Sequence, residues 1–216
     1  MDNVFRRYWT EAEERRLLAA MRATNGWAAR RDEAWLQLLL ATGCRIGEFA
    51  RLTVADARAA LREGWLFFPR EHRKGGHMDH QVPVTKPVAQ ALRALAAIAG
   101  AEVAGDAPLV ASRTGVALSV RSYQARIAHW CRMARVPHAS PHWARHTRAM
   151  RIMKRSTAKD PRGLVQGALG HARIGSSGVY TRLSKEDLQR ELELLDGARR
   201  VPKAKLRARY DERRPA

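Results

Sequence analysis

Residues 140–150, Ser-Pro-His-Trp-Ala-Arg-His-Thr-Arg-Ala-Met, contain a histidine and an arginine suited to a bound anion. Ser140 followed by Pro141 predicts a helix start, with Ser140 as N-cap and Pro141 at the first helical position. His142 and Arg145 then lie on the same helical face. A helix N-terminus attracts anions, a guanidinium can bind two phosphate oxygens, and an imidazole exchanges a proton near neutral pH. The stretch therefore predicts phosphate chemistry, and the alternative is a surface helix of a basic protein.

A metal site is a weaker interpretation of the same residues. His142 and His146 have a spacing that zinc ligands also use. The glutamate of the H-E-x-x-H pattern is missing, and Arg145 projects into the same space. We therefore expect neither a metal ion nor another cofactor, and a zinc hydrolase stays as an alternative.

The charge of the chain indicates its partner. The 216 residues include 40 lysines and arginines against 21 aspartates and glutamates, a formal net charge of +19. Such an excess predicts a polyanionic partner, most simply nucleic acid, although a ribosomal-type or merely cationic protein is also compatible. The sequence shows no secretory signal and no run of membrane-span length, so a cytoplasmic, nucleoid-associated protein is expected. Cys44 and Cys131 fall in apolar helical contexts that predict buried free thiols.

The elements that must position these residues are mostly helical. Cap signals and apolar periodicity predict a mainly α chain with a small antiparallel β-sheet, an α+β fold in one domain over residues 1–198, followed by a basic, flexible tail over residues 199–216. The predicted helices are 11–23, 27–41 as the core helix, a short one within 45–52, 86–100, 119–135, one from Pro141, 161–169 and 184–195. Residues 65–68 and 81–84 predict a hairpin or a three-stranded sheet, joined by a cationic Gly-Gly turn at 71–77.

Further candidate residues stand in a fixed order along the chain. Thr42-Gly43-Cys44-Arg45-Ile46-Gly47-Glu48 comes first, then Lys74 on the hairpin, His142-x-x-Arg145, Leu169-Gly170-His171, and Tyr180 nine residues after His171. Each alone has an ordinary explanation, such as a solvated turn lysine, a C-cap histidine or a packing tyrosine. Together, from about Thr10 to Leu195, they resemble the tyrosine recombinase (phage integrase) family, and the resemblance implies the fold of its catalytic domain.

The resemblance also implies a metal-free cut of a DNA phosphodiester. A tyrosine hydroxyl attacks the phosphorus, guanidinium groups stabilise the charge on the oxygens, and proton transfer occurs at both ends. The residues in these roles are Tyr180 as nucleophile, Arg45 and Arg145 on the oxygens, His142 taking the tyrosine proton, Lys74 protonating the leaving 5′ oxygen, His171 binding a phosphate oxygen, and Glu48 orienting its neighbours.

The implied function is a site-specific DNA recombinase that cleaves and rejoins strands through a 3′-phosphotyrosine, giving integration, excision or inversion. Its implied partners are double-stranded DNA, copies of itself in a tetramer at synapsis, and accessory DNA-bending proteins. The alternatives are a type IB topoisomerase-like enzyme and a non-enzymatic DNA-binding protein on a recombinase scaffold.

The sequence departs from the family pattern in places. Lys74 lies one residue farther from Pro83 than usual, with Arg73 beside it, and Ala144 replaces an aliphatic such as leucine. The sequence begins close to Trp9-Thr10-Glu11, where the catalytic domain of the family usually begins. In this it resembles the short members of the family, such as the fimbrial-switch inversion enzymes.

Overall fold

The computed structural model describes residues 8–73, 78–156 and 160–170, which all belong to one compact unit. These ranges contain eight α-helices and one antiparallel pair of strands, which confirms the predicted fold class. The elements are α1 (Glu11–Ala23), α2 (Trp27–Thr42), α3 (Ile46–Phe49), α4 (Val54–Glu63), β1 (Trp65–Phe68), β2 (His80–Pro83), α5 (Lys86–Ala99), α6 (Val120–Met133), α7 (His142–Arg155) and α8 (Pro161–Leu169). None of the helices seen in these ranges has both the length and the apolar character that crossing a bilayer requires. The predicted helix at 184–195 and the predicted boundary at residue 198 lie outside the described residues.

Local capping explains where several helices begin. The side chain of Thr10 accepts from the backbone N–H of Glu13 at 3.2 Å, and the Glu13 carboxylate accepts from Thr10 N at 2.8 Å. This capping box starts α1 as predicted. Thr53 and Asp56 form the same box at the start of α4, a helix that was not predicted although its signal was present.

Helix α7 begins one residue later than predicted. Pro141, and not Ser140, occupies the N-cap position, and no side-chain cap bond forms there. The backbone of Pro141 is already helical at φ −54° and ψ −25°, and Trp143 N donates to Ser140 O at 2.9 Å. A tight first turn therefore replaces the expected serine cap, and His142 still lies at the helix N-terminus.

The small sheet consists of β1 and β2, paired antiparallel with Trp65 opposite Pro83 and Phe68 opposite His80. Leu66 and Phe68 on one face of β1 are buried, while Trp65 and Phe67 on the other face are exposed. Of the two sheets that the sequence left open, the hairpin is the one found in the described part of the chain, because no third strand pairs there.

The core surrounds α2, the helix that the sequence predicted to be central. Trp35, Leu36, Leu38 and Leu39 of this helix are fully buried. The helix packs against α1, α5 and α7, and α7 packs in turn against α8. This packing holds the C-terminal end of α2 close to α7, where the candidate site lies.

Asp32 forms a polar centre inside this core. Its side chain is completely buried, and Oδ1 accepts from Trp35 Nε1 at 3.0 Å and from Arg31 Nη2 at 2.8 Å. Oδ2 accepts from Trp130 Nε1 at 2.8 Å and from Arg126 Nε. The carboxylate thereby joins α2 to α6, because Trp130 and Arg126 belong to that helix.

The two cysteines confirm the prediction of buried free thiols. Burial raises the pKa of Cys44 to about 12, and burial also raises the pKa of Cys131. Both are therefore protonated and weakly nucleophilic at neutral pH.

Candidate active site

Arg145 connects three of the motifs found in the sequence. Its side chain is buried, with Nη1 donating to Gly43 O at 2.7 Å and Nη2 donating to Leu169 O at 2.9 Å. Gly43 belongs to the Thr-Gly turn before Arg45, and Leu169 belongs to the Leu-Gly turn before His171. The guanidinium of α7 thus joins the C-terminal end of α2 to the C-terminal end of α8.

Both turns need glycine for conformation and for space. Gly43 and Gly170 are the C-caps of α2 and α8 and have left-handed φ values of +67° and +61°. A Cβ on Gly43 would lie 2.5 Å from Leu169 Cδ2, and a Cβ on Gly170 would lie 2.6 Å from Arg73 Nη2 and 2.7 Å from His80 Cγ. Each glycine therefore allows a close approach that any other residue would block.

Glu48 forms an ion pair and hydrogen bonds with Arg45. Glu48 is buried at the third position of α3, and it accepts from Arg45 N at 3.0 Å and from Arg45 Nη1 at 2.8 Å. The Arg45 side chain remains 31% exposed, so it is anchored at one edge and open to solvent elsewhere. This geometry suits a guanidinium that binds an anion from outside.

Arg73 also belongs to this cluster; from the sequence it is the cation next to Lys74 and, with His77, the next candidate for the general-acid role predicted for Lys74. Its side chain is 8% exposed, and Nε lies 3.4 Å from Glu48 Oε1, which is an ion-pair distance without hydrogen-bond geometry. Nη1 donates to the carbonyls of Met78 and Asp79, and Nη2 donates to Gly170 O at 2.5 Å.

His142 stands at the first position of α7, exposed and three residues before Arg145. Its ring meets the buried ring of His146 at a centroid distance of 4.4 Å and an angle of 89°. No group of three potential metal-ligating side chains occurs within residues 8–73, 78–156 and 160–170. The two rings form an edge-to-face aromatic contact.

His80 lies beside this cluster and was not singled out from the sequence. It is buried on β2, stacked on Phe68 at a centroid distance of 6.2 Å and in contact range of the Gly170 turn. Burial, followed by the positive charge of Arg73, lowers the pKa of His80, so its neutral form is favoured. No local signal in the sequence distinguished it from an ordinary strand residue.

Four of the predicted site residues are therefore described: Arg45, Glu48, His142 and Arg145. The other three, Lys74, His171 and Tyr180, lie outside the described residues, and their roles stay predictions. Tyr123 is buried on α6, and burial raises its pKa. The core position predicted for that tyrosine is confirmed.

Residues 7–187 match the Phage integrase family. The chain belongs to the phage integrase family. This family member is 33% identical over 178 residues to tyrosine recombinase XerC of Neisseria meningitidis, an alignment that covers 82% of this chain and 53% of that protein. It is 32% identical over 183 residues to XerC of Pseudomonas aeruginosa, with coverage of 85% and 56%. The chain thus spans about half the length of the relatives it matches.

Solved structures of recombinases share the fold. The XerA recombinase superposes with a TM-score of 0.67 at 24% identity, covering 89% of this chain and 64% of that one. The XerH recombinase bound to its difH substrate superposes with a TM-score of 0.65 at 19% identity, covering 88% and 55%. The predicted family and the predicted catalytic-domain fold are both confirmed.

Proposed function

We propose that this integrase family member is a site-specific DNA recombinase that cuts and rejoins DNA strands through a 3′-phosphotyrosine. The observation that best supports the proposal is the fork of Arg145, which joins the Thr-Gly turn to the Leu-Gly turn. Because of this link, Arg145 lies within one cluster with the residues that precede Arg45 and His171 in the chain. This link supports one candidate position for the phosphate, near Arg45 and Arg145.

The proposed reaction is a transesterification. The hydroxyl oxygen of Tyr180 attacks the phosphorus and gives its proton to His142. The bond from phosphorus to the 5′ oxygen breaks, and Lys74 protonates that oxygen. Arg45 and Arg145 stabilise the charge that develops on the nonbridging oxygens, because each guanidinium keeps its positive charge.

Rejoining reverses these steps. His171 binds a phosphate oxygen throughout, and Glu48 orients Arg45. A 5′ hydroxyl from another strand attacks the phosphotyrosine and releases Tyr180, so the bond energy is conserved and no ATP is consumed. If two sites are synapsed, the exchange of strands gives integration, excision or inversion.

The proposed partner is double-stranded DNA, and the proposed active form is a homo-oligomer on DNA, a tetramer at synapsis. The net charge of +19 supports extensive phosphate contact, since each neutralised phosphate releases counterions. The solved structure of XerH was obtained on a difH DNA substrate, which supports DNA as the partner here. We place the protein in the cytoplasm with the nucleoid, and accessory DNA-bending proteins are part of the proposal.

The test begins by finding a site. A pool of nicked duplexes with randomised flanks is incubated with the protein, and DNA that stays attached in denaturing detergent is recovered and sequenced. On the selected duplex, wild type should form a covalent adduct visible by denaturing electrophoresis. Tyr180→Phe removes one oxygen and should abolish the adduct without weakening DNA binding.

Two matched controls locate the nucleophile. Tyr8→Phe and Tyr210→Phe remove the same atom elsewhere in the chain and should retain the adduct. An undiminished adduct in Tyr180→Phe would refute Tyr180 as the nucleophile. Loss of the adduct in Tyr210→Phe would instead indicate Tyr210 as the nucleophile. Tight binding without any adduct would indicate a DNA-binding protein, and relaxation of plasmids lacking the selected site would indicate topoisomerase activity.

A further inference from the structure

Arg73 closes a ring of contacts around the candidate site. Glu48 Oε1 faces both Arg45 Nη1, at 2.8 Å, and Arg73 Nε, at 3.4 Å. The other end of the Arg73 guanidinium donates to Gly170 O. Leu169, the residue before Gly170, accepts from Arg145, which also bonds to Gly43, two residues before Arg45. The ring thus returns to its starting point.

We infer that Arg73 is a positioning residue for DNA cleavage, which acts through Glu48 and the Gly170 carbonyl to fix the guanidinium of Arg45 and the turn after α8. The inference rests on the proposed function. Arg73 and Gly170 also directly precede Lys74 and His171 in the sequence, so the same side chain ties together the two backbone points from which those residues follow.

The contacts of Arg73 suit a residue that holds other groups in place. Its side chain is 8% exposed, and all three of its nitrogens face a carbonyl or a carboxylate of the protein. A guanidinium also keeps its proton in proteins, so it is a poor general acid. Arg45, at 31% exposure, has the free edge that Arg73 lacks.

The burial of the Glu48 carboxylate explains why its ion pair with Arg73 is important. Glu48 is 2% exposed, and a buried carboxylate is costly unless cations or donors compensate its charge. Without Arg73, Glu48 loses one of the two cations that face it in the described part of the chain, and the carbonyl of Gly170 loses the guanidinium that holds it. The turn after α8 and the head of Arg45 can then shift, and a displacement of about 1 Å can slow a reaction about 100-fold.

The experiment uses the full chain and the selected nicked duplex. Arg73→Met removes the fork and the charge but keeps a long side chain, and Arg70→Met, at an exposed position of the same segment, is the matched control. At saturating DNA, we expect Arg73→Met to slow adduct formation about 10- to 100-fold. Its dissociation constant for DNA should match that of Arg70→Met, because each variant lacks one cation. Equal rates in the two variants would overturn the inference.

Two further readouts separate positioning from other roles. Because Arg73 acts in part through Glu48, the double variant Arg73→Met/Glu48→Gln should lose less than the product of the two single losses, whereas fully multiplied losses would mean independent action and overturn the inference. A 5′-thiol leaving group needs no proton, so Arg73→Met should lose the same factor on it as on a normal phosphodiester. Rescue by the thiol would make Arg73 the general acid and overturn the inference.

The experiment distinguishes a variant that does not fold, a failure of the proposed function and a failure of the inference about Arg73. Thermal unfolding is measured for every variant, and if Arg73→Met does not fold, Arg73→Lys, which keeps the charge but loses the fork, is judged by the same criteria. Absence of an adduct with wild type refutes the proposed function, and the inference falls with it. A normal wild-type adduct with an unaffected Arg73→Met refutes the inference alone.

Discussion

Replacing Asp32 by asparagine should destabilise the fold more than any other single-atom exchange on α2. The carboxylate is completely buried and accepts from the indole N–H groups of Trp35 and Trp130, as well as from Arg31 and Arg126. Asparagine has the same shape but no charge, and its amide presents N–H donors where one oxygen had been. One indole or guanidinium donor is then left facing another donor in the core.

The buried partner sets the magnitude of this effect. The Arg31 side chain is only 7% exposed, so its charge lies in the core with that of Asp32, while Arg126 at 32% is partly screened by solvent. Removing one member of a buried pair costs about 3–5 kcal/mol, because the other charge stays buried without compensation. For a domain of this size, each kcal/mol lowers the melting temperature by about 2–4 °C, so Asp32→Asn should lower it by roughly 6–20 °C.

The assay is unfolding by heat and by urea, followed by circular dichroism, with Glu33→Gln as the control. Glu33 is the next residue on α2, but its partner Arg22 is 59% exposed, so this exchange should cost at most about 1 kcal/mol. In addition, Trp130→Phe should cost less in the Asp32→Asn background than in wild type, since its acceptor is altered there. If Asp32→Asn and Glu33→Gln lose the same stability, the reasoning about the buried centre is wrong.

Four further predictions follow from the site. Gly43→Ala should lower the free energy of unfolding by at least about 1 kcal/mol, because the backbone at Gly43 is left-handed and an added Cβ would lie 2.5 Å from Leu169 Cδ2. Gly47→Ala, with open space around the glycine, should not lower it. Equal unfolding midpoints for the two variants would contradict this prediction. Because the pKa of His80 is lowered in the folded state, the unfolded state binds more protons than the folded state once the pH falls below about 6.5. Wild type should therefore lose unfolding free energy below this pH more steeply than His80→Gln. A stability difference between the two proteins that stays constant with pH would refute this prediction. Lys74→Ala should slow cleavage far more on a normal phosphodiester than on a 5′-thiol substrate, and equal losses would remove Lys74 from the general-acid role. Adduct formation should persist in EDTA without ATP, and a strict magnesium requirement would contradict the mechanism.

Much of the secondary structure followed from local signals. The capping box at Thr10, the Gly43 stop and the Asp160-Pro161 start predicted the limits of α1, α2 and α8 within one residue. Such signals work because a cap satisfies the free backbone groups of its own helix end. Helix α4 carried the same signal at Thr53 and was missed only because the capping box there was not recognised.

Part of the chemistry of the site could also be predicted from the sequence. The order of the motifs identified the family, and Arg45 and Glu48 interact over three residues, within reach of a local pattern. His142 and Arg145 share one helix, so their common location required no tertiary information. The types of these residues and the reaction they suit were therefore determined by sequence.

Only the tertiary structure decided which distant groups meet. Arg145 bonds to a carbonyl 102 residues away, Arg73 to one 97 residues away, and Asp32 to an indole 98 residues away. These contacts depend on how α2, α6, α7, α8 and the hairpin pack, which no local periodicity specifies. A surface arginine and a buried positioning arginine look alike in a sequence, because the difference lies entirely in the carbonyls and carboxylates that folding brings around the guanidinium.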